Sequence, residues 1–118
     1  MIEGKVWGTT EPLIVNSSLE VHRILVMKGG HCSLHKHQSK YNAFYVMKGK
    51  LIVEIHKKDY ELVDKTVLIP NEFTVVSPGE YHKFISSSAT TALEIYWSEL
   101  NHNDIQRESV GGDTLTKE

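Results

Sequence analysis

Gly29-Gly30-His31-Cys32-Ser33-Leu34-His35-Lys36-His37 gathers three of the chain's seven histidines into one short stretch. In an extended strand, residues i and i+2 share a face, so His35 and His37 project together, about 6–7 Å apart along the backbone. Two imidazoles on one face can converge on a metal about 2.0–2.1 Å from each nitrogen. Further along, Pro78-Gly79-Glu80-Tyr81-His82 opens another strand with a histidine, which a closed barrel would bring opposite the first pair. A structural reading of the same stretch stands beside this one: His31, Ser33, His35 and His37 as the polar outer face of a strand.

Around that stretch no helical period runs through the first hundred residues. Short segments rich in Val, Ile, Leu, Tyr and Phe recur instead. They predict strands near 13–15, 19–27, 31–37, 42–47, 51–56, 60–63, 66–69, 73–76, 82–85 and 92–97. Between them lie Lys28-Gly29-Gly30, Lys48-Gly49-Lys50, Lys57-Lys58-Asp59, Ile69-Pro70-Asn71, Ser77-Pro78-Gly79 and Ser86-Ser87-Ser88. Glycine supplies the positive φ of tight turns, and proline cannot donate to a central ladder, so these clusters end strands. Many short strands at a spacing of about 8–12 residues indicate a sandwich or a barrel. Within strands, Leu51, Val53 and Ile55 point one way, and Asn42, Phe44 and Val46 share a face.

The 118 residues fit one domain, since single cores are built from about 100–200 residues. Thirteen Lys plus Arg against fifteen Asp plus Glu leave a formal net charge of −2. That balance lacks the basic footprint of a phosphate-backbone binder, so no nucleic acid partner is expected. No apolar run approaches the roughly 18–20 residues of a membrane-spanning helix, and Met1 to Lys5 shows no cleavable apolar leader. Cys32 is the lone cysteine, so no internal disulfide can form, and a reducing, cytoplasmic compartment is the expectation.

The two histidine stretches resemble the paired motifs of the cupins, small β-barrels of the jelly-roll type. The first cupin motif reads Gly, five residues, His-x-His, three or four residues, Glu, six residues, Gly. Here Gly29, five residues, His35-Lys36-His37, four residues, Asn42, six residues and Gly49 fill that frame. The second motif reads Gly, five residues, Pro-x-Gly, two residues, His, three residues, Asn. Here Asn71, five residues, Ser77-Pro78-Gly79, two residues, His82, three residues and Ser86 fill it. The resemblance implies an all-β cupin jelly-roll barrel in a single domain over residues 1–118, its core at about 13–97. The polar stretch 98–118 reads as a frayed tail.

By the same resemblance His35, His37 and His82 fall on three metal-ligand positions. Asn42 takes the fourth, where the family has a glutamate. Three imidazoles and an amide oxygen form a neutral ligand set, whereas a carboxylate would make it −1, so affinity for a hard cation should fall. Imidazoles still suit a divalent transition metal such as Zn, Ni or Fe, with Mn a further candidate. The alternative is a relic pocket in which the three rings bond to one another or to water. Asn71 in place of Gly is a mild change, because Asn tolerates the left-handed conformation.

Further pocket candidates are His31, Lys40, Tyr45 and Glu94. His31 could line the barrel mouth as a base, or sit at a strand start near solvent. Lys40 could meet a phosphate or carboxylate at the rim, or be a solvated turn lysine. Tyr45 could stack on a ligand ring or pack in the core. Glu94 is the carboxylate that could replace the missing glutamate, against an outward-facing charge. Cys32 should alternate to the side away from the lumen, and His22, His56 and His102 read as surface residues. No catalytic residue can be assigned.

Function has to come from the site, because this barrel hosts unrelated activities. The end of the chain resembles the cupin domain of mannose-6-phosphate isomerases of the type fused to guanylyltransferases. The likeness rests on Leu93-Glu94-Ile95 and Asn103-Asp104-Ile105-Gln106-Arg107, where that family has an acidic-Asp-Ile-Val-Arg run, and on Gly111. It implies a sugar-phosphate isomerase-like protein whose small-molecule ligand is a phosphorylated sugar. Two alternatives are a metal-dependent dioxygenase and a non-catalytic module binding a sugar or small acid. Edge strands that must be covered, with Lys5-Val6-Trp7 available to pair with a second copy, predict a homodimer.

Overall fold

Strands that alternate apolar and polar side chains must bury one face, and two such sheets stacked together bury both. The computed structural model describes residues 1–99 and 103–114, and over these it is all-β. One sheet contains β1 (Glu3–Lys5), β2 (Gly8–Val15), β3 (Leu19–Val26), β4 (Tyr41–Lys48), β7 (Phe73–Val76) and β9 (Thr90–Trp97). Its spatial order is β1-β2-β3-β9-β4-β7, with every pair antiparallel. The other sheet is β5 (Leu51–Lys57) flanked by β6 (Leu62–Leu68) and β8 (Tyr81–Ser86). Between the sheets lies a core of Ile24, Val26, Phe44, Val46, Leu51, Val53, Leu68, Val76, Phe84 and Ala92. No helix among the described residues is long and apolar enough to cross a membrane.

Register grades the inner face of the larger sheet from apolar to polar. Ile24, Ala92 and Val46 lie side by side across β3, β9 and β4. The next inward row is His22, Glu94 and Phe44, and the one beyond it Glu20, Tyr96 and Asn42. One end of the barrel is therefore a packed floor, and the other is a polar lumen.

Turn chemistry fixes the strand order. Gly49 joins β4 to β5 at φ 90°, and a Cβ there would lie 2.4 Å from the Ala89 carbonyl oxygen. Only glycine fits. Asn71 takes the left-handed conformation at φ 72°, as its chemistry allows.

Three sequence expectations need correction. Residues 31–37 form no strand: only His31 and His35 make isolated bridges, to Ile85 and His82. The segments 60–63 and 66–69 are one strand, β6, and Tyr60 belongs to the 3-10 turn Lys58–Tyr60 before it. Strand pairing begins well before residue 13, because β1 and β2 form a hairpin. Lys5 pairs with Gly8 of the same chain, and β1, paired on that side alone, is the outer strand of the larger sheet. Residues 103–114 lie exposed beyond the last strand, and His102 falls outside the described residues.

Candidate metal centre

Backbone hydrogen bonds bring the two histidine stretches together. His35 and His82 exchange both, with His82 N–H donating to the His35 carbonyl at 2.8 Å and His35 N–H to the His82 carbonyl at 3.1 Å. Two residues along, Gly79 N–H donates to the His37 carbonyl at 2.7 Å. The Pro78-Gly79 turn is closed by Ser77 N–H donating to the Glu80 carboxylate at 2.9 Å. Ring centroids of His35, His37 and His82 then stand 4.5 to 5.4 Å apart. One nitrogen from each lies within 4.8 Å of the others.

Ring orientation is set by the backbone. His35 Nδ1 donates to the Ser33 carbonyl at 2.7 Å, and His82 Nδ1 to the Glu80 carbonyl at 3.0 Å. Each neutral ring therefore keeps its lone pair on Nε2, an arrangement that orients metal-binding histidines. The carbonyls of the irregular 31–37 segment serve these rings instead of a strand ladder, as short-range side-chain bonds do elsewhere.

His37 supplies the test of fit. Its Nε2 is buried and has no hydrogen-bond partner among the described residues. An unsatisfied buried polar atom costs about 1–3 kcal/mol, and a cation at the centre of the three rings would relieve it. Burial pushes the His37 imidazole down to about 4, with the charges of His35, Lys40 and His82 adding to the effect. Burial lowers His82 as well. Both rings thus stay unprotonated at neutral pH, the form that a metal requires.

Asn42 is fully buried on β4 beside the cluster. Its Nδ2 donates to the Ile95 carbonyl at 3.3 Å, which turns Oδ1 toward His82 Nε2 at 3.0 Å. Two donors about 2.1 Å from one ion and at right angles to it stand about 3.0 Å apart. The Asn42 Oδ1 to His82 Nε2 separation is of that size.

The cluster opens on a cavity of about 530 Å³. His35, His22, Lys40, Glu94, Tyr96 and Cys32 are among its lining residues. Glu94 faces inward, only 9% exposed. Burial raises its carboxyl, against the opposing hydrogen bonds of Tyr96 and Asn42. Of the other sequence candidates, Lys40 reaches the cavity. His31 is exposed, with Nδ1 3.3 Å from the Gly29 carbonyl, and does not line it. Tyr45 points to the opposite side of β4 and donates to Asn71 Oδ1 at 2.9 Å.

Two residues read as lying outside the lumen belong to it. Cys32 turns inward, where its sulfur accepts from Phe84 N–H at 3.2 Å. Strict strand alternation would have sent it out, and that alternation does not apply to a segment that is no strand. His22 lies half-buried against Glu20 at 2.9 Å, inward like its β3 neighbours Ile24 and Glu20. The period-two pattern of β3 was the available signal.

The sequence pattern of the cupin domain family matches residues 22–99. The chain belongs to the cupin family. No curated protein matches this cupin in sequence. Among solved structures it is similar to KdgF from Halomonas sp., with 14% identity and a TM-score of 0.72, covering 86% of this chain and 88% of that one. It is also similar to the capsular polysaccharide assembling protein CapF from Staphylococcus aureus, at 17% identity and a TM-score of 0.72, covering 88% and 30%. A Bacillus subtilis oxalate decarboxylase is 13% identical at a TM-score of 0.72, covering 83% and 27%. At such identities the likeness shows the barrel alone.

Proposed function

We propose that this cupin binds a divalent transition metal through His35, His37 and His82, with Asn42 as fourth donor, and presents it to a small-molecule ligand in the lumen. The unpartnered His37 Nε2 beside two rings locked with their lone pairs inward carries this reading. The activity it supports best is sugar-phosphate isomerase-like, on mannose-6-phosphate, for which the metal would polarise a carbonyl oxygen. Glu94 is the lumen carboxyl placed to carry a proton between adjacent carbons. Tyr96, which hydrogen-bonds to it, holds it in place. Lys40 offers a cation to the phosphate end.

Two experiments test this. Metal analysis of protein purified without added ions should find about one equivalent of transition metal, lost in His35→Ala and His82→Ala. Metal-loaded protein should convert mannose-6-phosphate to fructose-6-phosphate, and Glu94→Gln should abolish turnover while leaving metal content unchanged. Bound metal without conversion would leave the non-catalytic sugar-binding cupin as the better reading. Oxygen uptake with Fe²⁺ would favour the dioxygenase, although a neutral ligand set is a poorer match for redox iron.

A further inference from the structure

The lumen contains a cation that no carboxylate among the described residues neutralises. Lys5 pairs with Glu3, Lys57 with Glu80, Lys65 with Glu54 and Arg23 with Glu11. Lys40 is half-buried and has no carboxylate partner among the described residues. Its ammonium lies instead over the Tyr96 ring, 4.3 Å from the centroid. The Tyr96 ring in turn stands 5.3 Å from that of His37, edge to face. The ammonium is therefore within about 10 Å of the histidine cluster, near enough for its charge to act there.

Lys40 also lines a second, smaller cavity of about 60 Å³ that adjoins the lumen. Ser17, Ser18, Ser98 and Trp97 surround it with Lys40. One water needs about 10–15 Å³ on the same measure, so the niche has room for a tetrahedral oxyanion. Its walls are built rather than loose. Asn16 Oδ1 accepts from the N–H groups of Ser18 and Leu19, both at 2.9 Å, and Ser98 N–H donates to the Ser18 carbonyl at 3.2 Å. The three serines are exposed, and their hydroxyls make no hydrogen bond among the described residues. The carboxylate that lines the niche, Glu20, is engaged at 2.9 Å by His22.

We propose that Lys40 and the hydroxyls of Ser17, Ser18 and Ser98 form a phosphate subsite, so that the ligand of this cupin is a phosphorylated small molecule with its phosphate in the niche and its other end at the histidines. Lysine binds phosphate as a point charge, and hydroxyl donors complete the oxygen shell. The position of the far end rests on the metal-centre reading; the subsite itself does not.

Trp97 lines the niche and provides a fluorescence readout. Titrating the full chain with inorganic phosphate, mannose-6-phosphate and mannose should give a response to the first two and none to mannose. Lys40→Met should weaken phosphate binding on the order of ten-fold or more, the loss of one charge-assisted contact. The same substitution removes a positive charge near the cluster, so zinc binding should tighten, a pair of opposite effects that mere loss of structure cannot produce. Ser17→Asp, which puts a negative charge into the niche, should abolish the phosphate response, and Lys40→Arg should retain it. Equal phosphate affinity in wild type and Lys40→Met, or equal responses to mannose and mannose-6-phosphate, would overturn the proposal. A Lys40-dependent phosphate response in a protein that takes up no zinc would support the subsite and defeat the metal centre.

Discussion

Asn42 Oδ1 and His82 Nε2 face each other at 3.0 Å. The Asn42 amide is oriented by its donation to the Ile95 carbonyl, and the His82 proton sits on Nδ1, donated to the Glu80 carbonyl. Two lone pairs held at that distance repel unless something positive lies between them, which is a property of a ligand pair and not of a packed core.

From this follows the effect of restoring a carboxylate. Asn42→Glu converts a neutral ligand set into one of charge −1 and should tighten zinc binding by ten-fold or more, read by competition with a chelator. Without metal the same substitution buries a charge and deprives the Ile95 carbonyl of its donor, at a cost of about 1–3 kcal/mol. Melting should therefore shift down by several degrees in the metal-free protein and up in the metal-loaded one. Shifts of the same sign in both states would show that Asn42 is not in the ligand set.

Stability should also report on His37. In the unfolded chain its imidazole takes up a proton near the ordinary 6.5, and in the folded protein only near about 4. Between those values the unfolded state binds more protons, so stability falls as pH drops through 6.5 and the loss levels off below about 4. His82, also lowered, acts in the same direction. Glu94 acts oppositely, because a raised carboxyl makes folding more favourable as pH falls. The His37 contribution is therefore isolated by comparing wild type with His37→Gln in urea melts from pH 7.5 to 4.5. The wild-type midpoint should fall relative to that of the variant as pH drops from 7.5 to 4.5, and parallel profiles would count against a buried, neutral His37.

Much of this centre was legible in the sequence. The spacing of His35, His37 and His82 placed three rings around one point, and the glycines and prolines between strands marked the turns that carry them. What misled was the assumption of a regular strand over residues 31–37. Its carbonyls orient imidazole rings, so side-chain parity fails there, and with it the placement of Cys32. The pairing of Lys5 with Gly8 was equally hidden, because a three-residue edge strand of Glu, Gly and Lys carries no apolar alternation. Tyr45 was ambiguous for a simpler reason, since an aromatic on a strand suits either face.

Cys32 should be inert while the protein is folded. Burial is the main cause that pushes its thiol up to about 11 from 9.0. That rise leaves about 100-fold less thiolate at neutral pH, and the thiolate is the nucleophile. Alkylation by iodoacetamide should accordingly be at least that much slower in the native protein than in urea. Native labelling at the rate of a free cysteine would place the sulfur at the surface.

The outer face of the larger sheet bears on assembly. Inward residues alternate with outward ones, and apolar side chains fill most of the outward positions of β9, β4 and β7. Val21, Ile95, Ala43 and Val75 lie side by side over β3, β9, β4 and β7. The adjacent row runs Arg23, Leu93, Tyr45 and Phe73, with Arg23 paired to Glu11 and Phe73 65% exposed. On the other side Tyr41 stacks on Trp97 at 5.4 Å. A monomer rarely exposes so continuous an apolar wall, and a second copy can cover it with the same residues in a two-fold contact. We therefore expect a homodimer joined through this wall, with the open edge of β1 beside Lys5-Val6-Trp7 as the alternative contact. Light scattering should give about twice the 13.4 kDa of one chain. Val75→Lys with Phe73→Glu should reduce the mass to that of one chain while zinc binding persists, because neither side chain touches the lumen. A wild-type mass of 13.4 kDa would rule the dimer out, and a dimer unaffected by both substitutions would move the interface elsewhere.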